Sequence, residues 1–365
     1  MTCWPTPIPG TRDRLVITVG ILGGGQLGRM LALAGVPIGV RCLVVEPAPD
    51  PPAGAVAEVI HAQYDDPDAL AVLAARCDVA TVELEHVPVE GLAWLAERVA
   101  VRPSPAAVAI VQDRRSEKEA LTAAGIATAP WADPPRAFPN GTVVKRRRGG
   151  FDGRGQVVLG PGVAVTGTLD GPCISEEVVA FDRELSIVAA RGLDGSVACY
   201  PVVENRHADG ILRTTLAPAP GLTAALQGDA ERIATALLAR LDYVGVLAVE
   251  LFETAGSLVA NEVAPRVHNS GHWTIEGAET SQFEQHLRAI SGLPLGSVAL
   301  RQPVAMVNLI GFLPDEVAVL GVPGAHLHVY GKAPRPARKV GHVTVPLDRL
   351  GDVEAIVGPV KGSRP

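Results

Sequence analysis

Residues 142–159 read TVVKRRRGGFDGRGQVVL. Two short runs rich in valine flank a basic, glycine-rich loop, which predicts strands at Thr142–Arg147 and Gln156–Leu159 carrying a flexible flap. Lys145 near the end of the first run, followed by loop amides and cations, suits a cover over a polyphosphate whose charge is neutralised as a phosphoryl group moves. No G-K-[ST] is present and no helix follows, so this is not a Walker loop. A solvated basic hairpin would not need Gly149, Gly150, Gly153 and Gly155 around the single acid Asp152.

Upstream of the flap the pattern is different. Leu15–Leu22 (LVITVGIL) is a continuous apolar run of the kind buried on both faces of a sheet. A helix over Gln26–Ala34, a strand at Arg41–Glu46, a helix over Ala69–Arg76 and a strand at Asp78–Glu83 follow. This alternation predicts an α/β domain with a doubly wound parallel sheet, ending near residue 112. Ser116–Glu119 (SEKE) reads as a capping box opening a helix that stops at Gly125. With Cys173–Val179 as a further strand, the flap hairpin belongs to a small antiparallel subdomain. Downstream come strands at Glu184–Ala190 and Ala198–Val203, a helix at Asp229–Leu241 and a hairpin over Val244–Ala264.

Composition narrows the function classes. At 365 residues with 47% apolar and 19% charged residues, the chain can build more than one core and is not a disordered protein. No apolar run reaches the ~18–20 residues of a membrane helix. The net charge of −7 argues against a broad nucleic-acid surface, so basic clusters point to local anion sites. The N-terminus lacks the order of a signal peptide, and five scattered cysteines fit neither a disulfide framework nor a structural zinc; both features fit the cytoplasm. Only five of the 32 basic residues are lysines, so a lysine inside a motif marks a place for a compact ammonium; for Lys118 and Lys361, chance is the preferred explanation.

Four further motifs carry chemistry. Gly23–Gly28 (GGGQLG), between a strand and a helix, suits a phosphate, and Glu46 ends the next strand where a dinucleotide-binding protein holds a ribose hydroxyl. In the hairpin VGVLAVELFETAGSLVANEVAPR, a turn at Thr254–Ser257 sets Glu250 opposite Asn261 or Glu262, close enough to share divalent cations. In APRVHNSGHWT, His268 and His272 have H-x-x-x-H spacing, but Pro265 and Gly271 argue for a loop without a third zinc ligand. Arg266 and His268 read better as donors to an anion or ribose, and His272 as a structural histidine. Arg335–His342 (RPARKVGH) reads as a phosphate clamp or a solvated basic loop.

Together GILGGGQLGRM, DVATVELEHVP, VKRRRGGFDGRGQ, ENRHADGILR, NEVAPRVHNSGHWT and RPARKVGH resemble the ATP-grasp superfamily, and within it the N(5)-carboxyaminoimidazole ribonucleotide synthase family, over residues 14–345. The resemblance implies an N-terminal α/β (pre-ATP-grasp) domain at 14–112 after a disordered extension at 1–13, a small central ATP-grasp lobe at 113–180 and a C-terminal lobe at 181–365. It implies ATP and Mg²⁺ as cofactors, with bicarbonate and aminoimidazole ribonucleotide as the other small-molecule substrates, and a cytoplasmic homodimer that engages neither nucleic acid nor membrane. Residue by residue, Arg114 and Lys145 resemble phosphate contacts, and Gly150, Phe151, Asp152, Gly153, Arg154, Gly155 and Gln156 the covering loop. Glu176, Glu177, Val178 and Val179 would line the adenine, Glu184 would take the ribose, and His207 would be a further nucleotide contact. Glu250 and Glu262 resemble the magnesium ligands, with Asn261 beside them. Asp152, Arg154, Arg266 and His268 would serve catalysis, and Gln26, Leu27, Arg338 and Lys339 would bind the ribonucleotide. The family loop carries Tyr where this chain has Phe151, so a role for that hydroxyl is absent or passes to water. Two alternatives stay open: another ATP-grasp ligase, biotin-carboxylase-like or formyl-transferring, and a nicotinamide-dependent dehydrogenase using GGGQLG and Glu46.

Overall fold

The computed structural model describes residues 16–150 and 153–358. The proposed extension at 1–13 and the flap residues Phe151 and Asp152 lie outside the described residues.

The N-terminal region builds a parallel five-stranded sheet from β1 (Ile17–Leu22), β2 (Val40–Val45), β3 (Glu58–Ile60), β4 (Val79–Val82) and β5 (Ala100–Val101), in the order β3-β2-β1-β4-β5. Helices α1 (Gln26–Gly35) and α2 (Pro67–Arg76) alternate with these strands as the sequence pattern predicts, and α3 (Val89–Ala96) continues the alternation where the sequence reading placed no helix. Both sheet faces are buried, which explains the unbroken apolar runs. Leu22, Leu43, Val45, Ala80 and Val82 pack with Leu70, Leu73, Leu92 and Leu95 of α2 and α3. Val19, Ile21, Val40 and Val44 share the other core with Leu27 and Leu31 of α1 and with residues from far downstream, including Trp273, Phe283 and Leu287.

Helices α4 (Pro105–Gln112) and α5 (Arg114–Ala123) lead into the small lobe. The capping box expected at Ser116 is corrected here. The helix begins at Arg114, and Asp113 caps it by accepting a hydrogen bond from the Arg115 amide (3.0 Å). Asp113 is also the acceptor for Arg147 at the flap root (2.9 and 2.7 Å), so one carboxylate both starts the helix and anchors the loop.

The small lobe is an antiparallel sheet of β6 (Trp131–Ala132), β7 (Thr142–Arg146), β8 (Gln156–Leu159) and β9 (Cys173–Glu177), in the order β6-β9-β7-β8. The remainder forms a nine-stranded antiparallel sheet. It uses β10 (Arg183–Arg191), β11 (Val197–Cys199), β12 (Val203–Ala208), β13 (Ile211–Ala217), β14 (Gly245–Thr254), β15 (Ser257–Ala264), β16 (Val304–Ile310), β17 (His326–Val329) and β18 (Lys339–Pro346). The single strand expected at Ala198–Val203 is two strands, β11 and β12. They part at Tyr200, which is fully buried and donates its hydroxyl to the Thr280 carbonyl (2.9 Å). Helix α6 (Ala224–Arg240) packs Ala230, Ala234, Leu237 and Leu238 against the sheet through Leu185, Ile187, Leu247 and Val249.

A buried imidazole ties the two large units together. His286 accepts the Val246 amide at Nδ1 (3.0 Å), which leaves its proton on Nε2 to donate to Thr81 Oγ1 of β4 (2.8 Å). Burial lowers the His286 pKa to about 4, so it stays neutral and a fixed tautomer spans the junction.

Candidate functional site

One cleft of about 1150 Å³ runs between the three sheets. The β14–β15 hairpin supplies its floor. Glu250 and Glu262 are paired directly across the ladder, while the register slips between Glu250 and Leu251, so Asn261 is the extra residue of a bulge. Of the two partners the sequence allowed for Glu250, the fold selects Glu262, and the bulge turns Asn261 toward the small lobe, where it accepts from Lys145 Nζ (3.2 Å).

The pair has the electrostatics of a cation site. Burial, then repulsion from Glu262, raises the Glu250 carboxyl to about 7. Glu262 is partly compensated by Arg114 (2.9 Å). Two facing carboxylates, one desolvated and strained by the other, fit a hard divalent ion that accepts oxygen ligands and keeps further positions for water and phosphate. Among the described residues no grouping of three His, Cys, Asp or Glu side chains could hold a metal, so phosphate oxygens would complete the shell. His272 is fully buried, with its ring against His342 and Phe283.

The small lobe closes one side of the cleft with a buried ion network. Lys145 approaches Glu176 Oε1 (3.0 Å), and Lys118 approaches Glu176 Oε2 (3.2 Å) and donates to the Asn261 carbonyl (3.0 Å). Burial alone would raise the Glu176 carboxyl, but the two ammoniums hold it down at about 2. Lys118 is therefore not a chance lysine. It is 1% exposed and belongs to the site's scaffold. No sequence signal distinguished it from a surface lysine on α5.

Beyond this network, Val143, Val178 and Val179 line an apolar slot with Phe181 and Phe252, whose rings stack at 4.6 Å. Glu184 stands across from Phe252 on the neighbouring strand and engages His207, and that bond raises the His207 pKa against the effect of burial. Glu177 lines the slot while accepting from Asn140 (2.9 Å). Phe181 and Phe252, like Lys118, were missed by sequence reasoning, although Phe252 shares a strand face with Glu250 two residues away.

The flap's returning arm brings Gly153 and Gln156 to the cleft wall. A Cβ at Gly153 (φ +73) would lie 3.1 Å from Gly210 Cα in the β12–β13 turn, so a glycine is needed where the flap meets that hairpin. Arg114 donates to the Gly150 carbonyl (3.3 Å) as well as to Glu262. Arg114, Gly150, Arg154, Gly155 and Arg338 are not among the lining residues; Arg114 and Gly150 border a smaller adjoining pocket with Glu262, and Arg338 donates to the Ala333 carbonyl (3.1 Å).

At the far end Arg266 bonds Glu85 of the N-terminal domain (2.5 Å), and the pairing holds the Glu85 carboxyl at about 2 despite burial. His268 accepts the Ser270 amide at Nδ1 (3.3 Å), and its Nε2 faces Glu250 at 3.5 Å. Burial, Arg266 and Lys339 keep it neutral, so the Nε2–H is a donor aimed into the cleft. Gln26, Leu27 and Lys339 line this end with Glu46, Tyr64 and Glu83, and Lys332 Nζ donates to Gln26 Oε1.

The GGGQLG turn does not offer a row of free amides. Gly25 and Leu27 donate to Glu83 (2.6 and 3.1 Å), and Gly24 donates to Glu46 (2.8 Å). A Cβ at Gly25 would sit 2.4 Å from Glu83 Oε1, so this glycine admits a carboxylate of the chain itself. Glu46 also accepts from Tyr64 (2.8 Å). The dehydrogenase reading of turn and acid loses its two anchors.

A ribonucleotide synthetase preATP-grasp domain matches residues 16–112, an ATP-grasp domain residues 127–283, and a phosphoribosylaminoimidazole carboxylase C-terminal domain residues 304–355. The N5-carboxyaminoimidazole ribonucleotide synthase of Pseudomonas aeruginosa is 46% identical over 93% of this chain and 99% of its own. The chain belongs to the N5-carboxyaminoimidazole ribonucleotide synthase family. The synthase of Brucella melitensis is 47% identical over 90% of this chain and 95% of its own. Among solved members of the family, the Thermus thermophilus enzyme superposes with a TM-score of 0.88 at 46% identity, covering 94% of this chain and 99% of that one. The synthase of Aspergillus clavatus, solved with ADP and 5-aminoimidazole ribonucleotide, gives 0.84 at 32% identity, covering 94% and 97%. Family membership establishes an ATP-grasp ligase of purine biosynthesis and removes the dehydrogenase alternative.

Proposed function

We propose that this synthase joins ATP, bicarbonate and 5-aminoimidazole ribonucleotide to give the N5-carboxylated ribonucleotide, ADP and phosphate. The observation that carries the assignment of ends is one continuous cleft, with an apolar slot and Lys145 on one side and Gln26, held by Lys332, with Lys339 on the other, meeting at Glu250 and Glu262.

ATP enters the slot with its adenine against Val143, Val179 and the Phe181–Phe252 stack, its ribose at Glu184 and its phosphates at Lys145 and Arg114. Magnesium would be held by Glu250 and Glu262, where it supplies charge neutralisation for phosphoryl transfer. A bicarbonate oxygen attacks the γ-phosphorus, the bond to ADP breaks, and carboxyphosphate forms. Arg266 and the Nε2–H of His268 orient the anion, and the flap through Gly150–Gln156, with Asp152 and Arg154, keeps water from the labile intermediate. Its collapse releases phosphate and CO₂ beside the exocyclic amine, which forms the new C–N bond and loses a proton; Asp152 is the candidate acceptor. The substrate's own phosphate rests against the side chains of Gln26, Leu27, Lys332 and Lys339, since the amides of Gly24, Gly25 and Leu27 are already engaged by Glu46 and Glu83. Family kinship supports a cytoplasmic homodimer, and the four described cysteines are free thiols.

The test is ADP release by purified protein. Release that requires both bicarbonate and the aminoimidazole ribonucleotide, with carboxylated product, is expected. Release stimulated by a different amine acceptor, and not by this one, would move the assignment to another ATP-grasp ligase.

A further inference from the structure

Lys118 is placed where no substrate reaches it, yet it touches two groups that form the nucleotide end of the cleft. Its ammonium is buried between Glu176 Oε2 (3.2 Å) and the Asn261 carbonyl (3.0 Å). Lys145, on the other side, reaches Glu176 Oε1 (3.0 Å) and Asn261 Oδ1 (3.2 Å). Glu176, Asn261 and Lys145 line the cleft, and Lys118 does not.

We propose that Lys118 is a positioning residue for ATP, acting through Glu176 and the Asn261 bulge. The inference rests on the assignment of Lys145 to the ATP phosphates. One carboxylate shared by two ammoniums leaves a net positive charge, so Lys145 is oriented by Glu176 without being fully neutralised by it. With Lys118 removed, Glu176 and Lys145 become a closed buried pair of zero net charge, and the phosphate loses attraction. The Asn261 carbonyl loses its donor too, which frees the bulge that sets Asn261 beside Lys145. Glutamate is needed at position 176 because only a carboxylate bridges two cations, and a lysine at 118 because a point charge on a long stem reaches both oxygens from α5.

The charge argument makes a signed forecast that a general packing role does not. Lys118→Met raises KM for ATP by at least about tenfold, the scale of one charged hydrogen bond, while KM for the ribonucleotide stays within about twofold on the same scale. Lys118→Met/Glu176→Gln, which removes both charges and leaves Lys145 cationic, has a KM for ATP closer to wild type than Lys118→Met alone. Thermal unfolding of each protein is followed in parallel. If Lys118→Met does not fold, the comparison is made between Lys118→Gln, which keeps a donor for the Asn261 carbonyl, and Lys118→Gln/Glu176→Gln. An unchanged KM for ATP, equal losses for both substrates, or a double variant no better than the single one overturns the inference. Wild-type protein is assayed alongside. If it shows ordinary ATP turnover while Lys145→Met leaves KM for ATP unchanged, the assignment of Lys145 fails, and this inference with it.

Discussion

Glu250 and Glu262 stand directly opposite one another on β14 and β15, and the bulge that follows places Asn261 between them and the small lobe. Their repulsion in a partly buried setting is a cost the apo fold carries, and a divalent ion relieves it. Glu262→Gln is expected to reduce magnesium-dependent turnover at least about a hundredfold, the scale of losing one preorganised electrostatic contact, with the fold retained by circular dichroism. Glu250→Gln should unfold at a temperature no lower than wild type in chelator, because it removes the repulsion. Wild-type turnover in Glu262→Gln would sink the metal assignment.

Lys145 and Lys339 stand at different ends of the cleft, so their losses should separate by substrate. Lys145→Met is expected to raise KM for ATP, and Lys339→Met to raise KM for the ribonucleotide far more than for ATP. Steady-state kinetics with each substrate varied in turn decides it; an unchanged ribonucleotide KM in Lys339→Met removes that residue from the substrate end.

The Glu85–Arg266 bond carries an acid-side stability term. The folded carboxyl is held at about 2 against an ordinary 4.5, so the unfolded chain takes up the proton first as pH falls. The contribution, on the order of 3 kcal/mol at most, is complete above the unfolded value. It disappears as pH falls from 4.5 toward 2. Thermal unfolding of wild type should weaken across that window, and Glu85→Gln should be less stable at neutral pH with a flatter acid slope. Equal slopes in the two proteins would show that this pair contributes nothing.

Asp113 holds both the α5 N-terminus and Arg147 at the flap root. Asp113→Asn retains a capping oxygen and loses the charge, so the helix should persist while the flap root loosens. Limited trypsin digestion should cut faster at Arg147 or Arg148 in the variant, and saturating nucleotide should reduce the difference. Identical cleavage rates with and without the substitution would show that the ion pair does not restrain the loop.

What could be read from the chain follows the physics of each region. The N-terminal sheet was legible because strands buried on both faces leave unbroken apolar runs. The β14–β15 hairpin was legible from its Thr254–Ser257 turn, but that turn left Asn261 and Glu262 both open as the partner of Glu250, and only the bulge in the folded ladder selects Glu262. The helix start at Arg114 was misplaced: SEKE satisfies the local capping rule, but Asp113 serves the same helix while bonding Arg147 at the flap root, 34 residues away. Glu83 offered no local sign that it would occupy the amides of the GGGQLG turn, since that contact spans 58 residues. Lys118 was invisible for the same reason: burial and a shared carboxylate are properties of three packed elements and leave no trace in the spacing of α5.

The transfer of oxygen from bicarbonate tests the central claim most directly. With ¹⁸O-labelled bicarbonate, Mg-ATP and 5-aminoimidazole ribonucleotide, attack on the γ-phosphorus leaves one bicarbonate oxygen on the inorganic phosphate released. Label in the phosphate, in step with carboxylated product and ADP, is the result this account predicts. Unlabelled phosphate formed alongside carboxylated product would contradict a carboxyphosphate route through this cleft.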